Sequence, residues 1–292
     1  MTSVVIAAHN EEAVLGRCLR RLLADARPGE FEVVVVPHGC VDGTAAVARA
    51  VPGVTVVELP TPGKVPALNA GDAAATAFPR IYLDADVELD TAGARALAAA
   101  VTAPGVLAAA PRRVLDTTGR PLPVRAYFAV NGRLPAFRGA LFGRGAVVLS
   151  AAGRARFDRF PEVLADDLFL DSLFTPGEKR EVAEVASLVA TPHRTGDLIR
   201  RLSRVRAGNA ALRAAGGAPA GGTGVTGADT RVRPARRASW FFDVVLPRPW
   251  LLPAGVCYAA LSVAAGLAAR RSGQPSWARD ESSRVAAQEP LR

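Results

Sequence analysis

Residues 79–89 have the sequence Pro-Arg-Ile-Tyr-Leu-Asp-Ala-Asp-Val-Glu-Leu, which predicts a short apolar strand, Ile81 to Leu83, followed by two carboxylates one residue apart. Because side chains alternate along a strand, Asp84 and Asp86 would point the same way if the chain stays extended. Two carboxylates that face one way repel each other unless a positive charge lies between them. Mg²⁺ or Mn²⁺ would supply that charge, since such an ion binds through one or two carboxylates and the phosphates of a substrate. The alternative is a polar turn, in which aspartate is common.

The chain before this stretch alternates predicted strands with predicted helices. Continuous apolar runs predict strands over residues 3–8, 31–36 and 54–58, and apolar residues at helical spacing predict helices between them. Asn10 is expected to cap the first of these helices. A β-α series of this kind favours an α/β fold with a parallel sheet and right-handed crossovers.

Polar residues follow three of these strands. Ligands of such sheets bind outside the carboxyl ends of the strands. His9, His38 and Asp84 all lie at such ends, so we expect three segments to converge on one crevice.

The second half of the chain is less regular. The sequence predicts a helix over 91–103, strands over 106–110, 145–150 and 181–190, and a turn or short helix over 151–154. Residues 111–138 are rich in Arg, Pro and Gly and receive no assignment.

Charge is unevenly distributed along the 292 residues. The net charge is +9, yet residues 200–292 hold 15 arginines against five acids, so the basic character belongs to the C-terminal third. This distribution argues against a nucleic-acid-binding body and favours a basic tail that meets phosphate or an anionic membrane surface. The three cysteines are far apart and follow no secretory signal, which favours a reduced, cytosolic environment.

Four motifs together resemble those of the family 2 glycosyltransferases with the GT-A fold. They are Val-Val-Ile-Ala-Ala-His-Asn-Glu-Glu at 4–12, His-Gly-Cys-Val-Asp-Gly-Thr at 38–44, Gly63-Lys64 followed by Ala-Leu-Asn-Ala-Gly at 67–71, and Asp84-Ala85-Asp86. Their order and spacing match over roughly residues 2–210. The resemblance implies a Rossmann-like nucleotide-diphospho-sugar transferase sandwich, a nucleotide-sugar donor and a divalent cation, Mg²⁺ or Mn²⁺.

The resemblance also implies roles for residues at the strand ends. Lys64 would lie near the diphosphate, Asp84 would face the ribose or a metal-bound water, and Asp86 would ligate the metal. Pro37 stands where the family usually has an aspartate that helps to hold the base, which puts the identity of the nucleotide in doubt. Asp42 matches the second acid of that motif, although capping of the next helix is the more ordinary role. The nucleotide-sugar contacts implied in this way are Ala8, His9, Asn10, Glu11, His38, Lys64, Asn69, Asp84 and Ala85.

A second acidic pair, Asp166 and Asp167, precedes an apolar run. An inverting sugar transfer needs a base that takes the proton from the acceptor hydroxyl, and a positioned base contributes on the order of 10²–10⁴ in rate. The resemblance assigns Asp167 as that base, with Asp166 beside it. Either aspartate would also suit the start of a helix, and the two roles are compatible.

Arg201 and Arg204 lie where many membrane-linked members carry Gln-x-x-Arg-Trp, of which only the arginine is kept here. They would contact the acceptor or the diphosphate, or else form a solvated basic face. Further on, residues 251–269 carry no charge. A helix of this length reaches about 28 Å, just short of a bilayer core, so the run would span a membrane, lie in its plane or pack onto the domain.

The domain organisation that follows has a nucleotide-sugar-binding half over 1–110 and an acceptor and base half over 111–213. A flexible basic linker (214–239), an apolar helical segment (240–271) and a disordered tail (272–292) complete it. The predicted function is inverting, metal-dependent glycosyl transfer to a glycan or lipid-linked acceptor at the cytoplasmic face of the cell membrane, in envelope synthesis and without nucleic acid. The alternative is a catalytically weak nucleotide-sugar-binding or scaffold protein at the membrane.

Overall fold

The structure is a computed structural model that describes residues 1–162, 166–214 and 238–271. Its centre is a seven-stranded sheet in the order β3-β2-β1-β4-β6-β5-β7. The strands are β1 (Thr2–Ala8), β2 (Phe31–Pro37), β3 (Val54–Val56), β4 (Arg80–Leu83), β5 (Ala108–Asp116), β6 (Ala146–Leu149) and β7 (Lys179–Ala190).

Helices cover both faces of this sheet. They are α1 (Glu12–Leu23), α2 (Thr44–Arg49), α3 (Lys64–Ala74), α4 (Thr91–Ala100), α5 (Leu122–Asn131), α6 (Ala151–Arg154), α7 (Asp166–Ser172), α8 (Thr195–Ala214) and α9 (Leu252–Arg271). One core lies under α1 and α4, and a second lies on the opposite face under α3 and α7. Strands with a core on each face need apolar side chains throughout, which explains the unbroken apolar runs of β1 and β2.

The first four strands are parallel, as the β-α series predicts. Strand β6 then runs antiparallel to both β4 and β5. The segment 111–138 contains the second half of β5, which pairs with β7, and the whole of α5. The first and second halves of the chain are therefore joined in one sheet through β4 and β6.

Asn10 does not cap α1, so that expectation is wrong. The helix begins at Glu12, and Asn10 has a left-handed backbone with φ of 52°. Its side-chain oxygen accepts a hydrogen bond from the Val41 N–H at 2.9 Å. Asn10 therefore ties the β1–α1 loop to the β2–α2 loop.

A buried charge network fixes α3 against the sheet. The Asp72 carboxylate is 8% exposed and accepts hydrogen bonds from Arg80, from Arg154 and, at 2.6 Å, from the Tyr82 hydroxyl. Burial alone would raise the pKa of Asp72, but these hydrogen bonds outweigh it and hold the pKa below its usual range.

Asp72→Ala is expected to lower the free energy of unfolding by about 3–5 kcal/mol, because it leaves buried Arg80 and half-buried Arg154 without their carboxylate. Urea denaturation of the full chain measures this change. Asp25→Ala, which removes an exposed carboxylate, is the control and should change stability by less than about 0.5 kcal/mol. A loss for Asp72→Ala as small as that of the control would contradict the role given to the network.

The C-terminal helix α9 packs along α5 and α8. The Tyr258 ring stacks on Tyr127 with centroids 4.8 Å apart, Leu261 is buried, and the Cys257 Sγ lies 3.6 Å from the Pro123 carbonyl oxygen. By length and composition, residues 249–269 form one helix that is apolar enough to cross a membrane, and 22% of its most apolar window is buried. One side of this run therefore packs onto the domain, and most of its apolar window stays exposed.

Most of the predicted linker (214–239) and all of the predicted tail (272–292) lie outside the described residues.

Candidate active site

The ends of β1 and β2 place two histidines side by side. The His9 and His38 rings are stacked with centroids 5.3 Å apart, and His9 Nδ1 lies 2.6 Å from the His38 carbonyl oxygen. His38 is buried and its Nδ1 accepts a hydrogen bond from the Gly63 N–H at 3.0 Å. Since Gly63 immediately precedes α3, His38 positions the start of that helix, where Lys64 lies.

Two loops close around this pair. The Ala8 carbonyl accepts from the His38 N–H at 2.9 Å, and the Glu11 N–H donates to Thr44 Oγ1 at 2.7 Å. Gly39 has φ of 56°, and a Cβ there would lie 2.4 Å from the Pro62 nitrogen. Only glycine therefore allows the chain before α3 to approach this closely.

Asp42 caps the next helix, as the ordinary reading of that residue predicts. Its Oδ1 accepts from the Thr44 N–H at 3.1 Å, at the first residue of α2, and its Oδ2 accepts from the Glu12 N–H at 3.2 Å. It thereby joins α1 to α2.

Lys64 lies among three carboxylates. Its Nζ is 2.9 Å from Asp84 Oδ1 and 3.0 Å from Asp166 Oδ2, and Asp167 follows directly in the chain. Burial alone would lower the pKa of Lys64, but the charges of Asp166 and Asp84 outweigh it and hold the pKa well above its usual range. The first half of the chain thus contributes a cation that neutralises acids of both halves.

The chain turns at Asp84 and Asp86. Strand β4 ends at Leu83, and the Val87 N–H donates to the Asp84 carbonyl at 3.1 Å, which closes a turn. Ala85 is buried and Asp86 is exposed. The expectation of an extended pair is wrong because the chain turns at once after the strand, and the turn gives the two carboxylates different surroundings.

Asp167 is held in place by the loop that precedes β6. Its Oδ2 accepts from the Gly143 N–H at 2.7 Å, and its Oδ1 accepts from the Leu168 N–H at 2.8 Å. Both Asp166 and Asp167 lie in the first turn of α7, where the helix dipole favours acids. Burial raises the pKa of Asp167 to about 6, and the charge of Asp166 adds to the shift. A carboxylate with this pKa is matched to accepting a proton near neutral pH.

Asn69 binds the backbone of Phe160. Its Nδ2 donates to the Phe160 carbonyl at 3.1 Å, and its Oδ1 accepts from the Phe160 N–H at 2.8 Å. Both ends of the amide are used within the protein, so Asn69 anchors the segment that leads towards Asp166.

Arg201 and Arg204 lie on α8. Arg201 donates to the Ala190 carbonyl at 3.2 Å, and both arginines are half-buried. Arg201 is close enough to Arg113 of β5 for its charge to lower the pKa of that guanidinium.

Sequence reasoning missed the loop between α5 and β6. The Gly143 N–H binds Asp167, and the Gly145 carbonyl accepts from the Asp84 N–H at 2.8 Å. A Cβ at Gly145, where φ is 68°, would lie 2.3 Å from Val87. The clustered glycines of residues 139–145 are the signal that could have indicated this close approach.

The residues present fit a divalent cation that binds together with a nucleotide diphosphate. In the part of the chain that is described, no three acidic, histidine or cysteine side chains come together as a ready metal site. Asp86 is exposed beside the Lys64 cluster, and no described side chain donates a hydrogen bond to it. Mg²⁺ commonly binds through one or two carboxylates while substrate phosphates and waters complete its coordination, so one available carboxylate suffices.

Comparison with known families decides the assignment. A family model described as Glycosyl transferase family 2 matches residues 3–159, more than half of the chain. The chain belongs to glycosyltransferase family 2. The matched range includes Lys64 and Asp86 and ends before Asp166 and Asp167. A search of the curated proteins finds no match.

Solved structures show that this glycosyltransferase has the GT-A fold. It is 22% identical to the mannosyltransferase PcManGT from Pyrobaculum calidifontis, solved with GDP-Man and Mn²⁺, with a TM-score of 0.56 over 92% of this chain and 79% of that one. It is also 22% identical to glucosyl-3-phosphoglycerate synthase from Mycobacterium tuberculosis, solved with Mn²⁺, UDP and glucosyl-3-phosphoglycerate, with a TM-score of 0.52 over 76% and 82%. The family and fold predicted from the four motifs are therefore confirmed.

Proposed function

We propose that this glycosyltransferase is an inverting, metal-dependent hexosyltransferase, which moves a sugar from a nucleotide-diphosphate donor to a hydroxyl acceptor. The observation that carries the proposal is the arrangement around Lys64, where Asp84 and Asp166 lie within 3.0 Å of one ammonium group. Asp167, with a raised pKa, adjoins the same cluster. The fixed Lys64 ammonium can stabilise the diphosphate anion that a sugar transfer releases. The Asp167 carboxylate, whose pKa is raised, can take up the proton of the acceptor hydroxyl.

The reaction would proceed in one displacement. The acceptor hydroxyl attacks the anomeric carbon while Asp167 takes its proton, the new C–O bond forms, and the bond to the diphosphate oxygen breaks. Attack from the face opposite the leaving group inverts the anomeric configuration. Asp166 would hold Lys64 next to the base, and the hydrogen bonds from Gly143 and Leu168 orient Asp167.

Asp86 would hold the Mg²⁺ or Mn²⁺ ion together with the phosphates of the donor. Such an ion supplies Lewis-acid stabilisation of the leaving diphosphate, an effect of several kcal/mol. Lys64 would add a point charge on the same side, and Asp84 would fix the Lys64 ammonium. The loops that carry Ala8, His9, Asn10, Glu11 and His38, with buried Ala85, would form the nucleotide side of the crevice.

A donor screen tests this proposal. The full chain is heated with UDP-, GDP- and dTDP-sugars, each with and without Mn²⁺. We expect one nucleotide class to raise the unfolding temperature, and only when Mn²⁺ is present, because a ligand that binds the folded state stabilises it. Stabilisation without any sugar release would favour the nucleotide-sugar-binding or scaffold alternative, and no stabilisation by any donor would contradict both.

We also propose that α9 and the turn before it lie on the cytoplasmic face of the cell membrane, where the enzyme would glycosylate an envelope glycan or glycolipid. One face of α9 packs on the domain, and large apolar side chains line its other face and the segment 242–250 before it. Those exposed by half or more are Phe242, Leu246, Trp250, Leu252, Val256, Val263 and Leu267. The spacing of 252, 256, 263 and 267 puts four of them on one helix face. An apolar face in a strongly basic third of the chain suits an anionic bilayer surface.

The double variant Val256→Asp with Val263→Asp is expected to lower binding to phosphatidylglycerol vesicles by more than about tenfold, since each buried apolar side chain contributes about 1.5–3 kcal/mol. Vesicle co-sedimentation measures the loss. Leu188→Asp is the matched control, because Leu188 is 61% exposed but lies on β7. Equal binding by wild type and the double variant would show that α9 does not contact the membrane.

A further inference from the structure

Arg113 is a largely buried cation whose donors are not all used. Its Nη2 donates to Asn131 Oδ1 at 3.2 Å, and its guanidinium carbon lies 4.1 Å from the centre of the Phe137 ring. Its Nε and Nη1 are both buried and have no hydrogen-bond partner among the described residues. Buried donors without partners are rare and costly in proteins, and a cluster of them indicates a ligand.

Two more guanidiniums lie around Arg113. Burial, together with the charges of Arg201 and Arg144, lowers the pKa of Arg113 to about 10. Arg144 is 1% exposed and forms an ion pair with Glu181 at 2.6 Å. Neither Arg113 nor Arg201 forms an ion pair with any residue that the structure describes; Arg201 donates to the Ala190 carbonyl. The cluster therefore carries two positive charges that described carboxylates do not balance.

This cluster adjoins the base. Phe137, which covers Arg113, lies 5.3 Å from the Phe142 ring, and its ring edge would lie 3.7 Å from a Cβ at Gly143. The N–H of Gly143 in turn binds Asp167. One aromatic side chain and one loop residue thus separate the guanidinium of Arg113 from the carboxylate of Asp167, on the acceptor half of the chain.

We propose that Arg113 and Arg201 bind a phosphate group carried by the acceptor, an inference that rests on the proposed sugar transfer. A phosphate monoester carries a charge of about −1.5 to −2 at neutral pH and three strong acceptor oxygens, which suits two unpaired guanidiniums. A carboxylate would neutralise only one of them. Guanidinium groups bind phosphate oxygens in pairs through parallel N–H donors. Partly exposed Phe137 and Phe142 would contact the part of the acceptor between the phosphate and the attacking hydroxyl.

A soluble molecule and a lipid headgroup are the two sources of such a phosphate, and two arms of one experiment separate them. In the first arm, calorimetry measures binding of inorganic phosphate and of glycerol 3-phosphate to the full chain. In the second arm, flotation measures binding to phosphatidylcholine vesicles with and without polyprenyl phosphate. Neither arm contains metal or a nucleotide sugar, so failure here is distinct from failure of the proposed transfer reaction.

The variants are Arg113→Gln and Arg201→Gln, with Arg125→Gln as the control. Arg125 is an exposed arginine of α5, close to the cluster in the fold but outside it. Thermal unfolding checks each variant, and Arg113→Lys keeps the charge if Arg113→Gln does not fold. Loss of one hydrogen-bonded charge is expected to weaken binding by about tenfold.

The expected result is binding by wild type and by Arg125→Gln in at least one arm, with a loss of about tenfold in Arg113→Gln and Arg201→Gln. Binding in the first arm identifies a soluble phosphorylated acceptor, and binding in the second arm alone identifies a lipid phosphate. The proposal is overturned if wild type binds no probe in either arm, or if the two glutamine variants bind as wild type does.

Discussion

Asp167→Asn is expected to reduce sugar transfer by about 10²–10⁴-fold and to leave the fold intact. The amide keeps the shape of the carboxylate, and its oxygen can still accept a hydrogen bond from Gly143 or Leu168. It cannot take the proton of the acceptor hydroxyl. Because the amide also removes a charge that burial disfavours, the unfolding temperature should stay the same or rise.

Steady-state release of the nucleoside diphosphate, measured with donor and acceptor, quantifies this loss. The matched control is Asp158→Asn, since Asp158 is an exposed carboxylate in the loop before α7. Its transfer rate should equal that of wild type. A fall in Asp167→Asn smaller than about tenfold would assign the base to another residue.

The pH profile of the wild type gives an independent check of the same role. A base must be deprotonated to act, and the pKa of Asp167 is raised to about 6 by burial and by Asp166. Activity should therefore be constant above this pKa and fall about tenfold per pH unit below it. Bound donor and metal alter the surrounding charges, so the profile of kcat/KM, which reports the free enzyme, is the relevant one.

Asp86→Ala is expected to abolish the Mn²⁺-dependent stabilisation of the protein by a nucleoside diphosphate. A ligand present at 100 times its dissociation constant stabilises the folded state by about 2.7 kcal/mol, which corresponds to a shift of about 4 °C in a chain of this size. The wild type should show such a shift with Mn²⁺ and nucleoside diphosphate together. The variant should show none, because Asp86 would be the carboxylate that joins the ion to the protein.

Glu88→Ala is the matched control for this experiment. Glu88 is an exposed carboxylate two residues further on, and it forms an ion pair with Arg17 at 2.7 Å. Its variant should keep the full Mn²⁺-dependent shift. If Asp86→Ala keeps the shift as well, the ion is held elsewhere, and Asp84 becomes the residue to test.

The sequence predicts those parts of the fold that depend on residues close together in the chain. Strands β1, β2 and β4 follow from unbroken apolar runs, because each strand is covered on both faces. The approach of the β1 and β2 ends follows from the parallel pairing of these strands. The His9 and His38 rings are in contact there, as their positions at the ends of two predicted strands lead one to expect.

The parts that the sequence does not predict depend on contacts between distant segments. Asparagine is a common helix cap, but the side-chain oxygen of Asn10 accepts a hydrogen bond from an N–H group 31 residues away. The extended geometry expected for Asp84 and Asp86 is lost because the chain turns after β4, and the Asp84 carboxylate pairs with Lys64. Arg113 lies in a segment without periodicity, and its significance is visible only once β5, α5 and α8 are packed together. Pairings of this kind leave no regular pattern in the sequence.

The most direct test of the central claim is release of nucleoside diphosphate from a nucleotide sugar in the presence of Mn²⁺, compared among wild type, Asp86→Ala and Asp167→Asn. We predict measurable release by wild type and a loss of at least about 10²-fold in each variant, through weakened donor binding in Asp86→Ala and through loss of the base in Asp167→Asn. Unchanged release in both variants would contradict the assignment of this crevice as the site of sugar transfer.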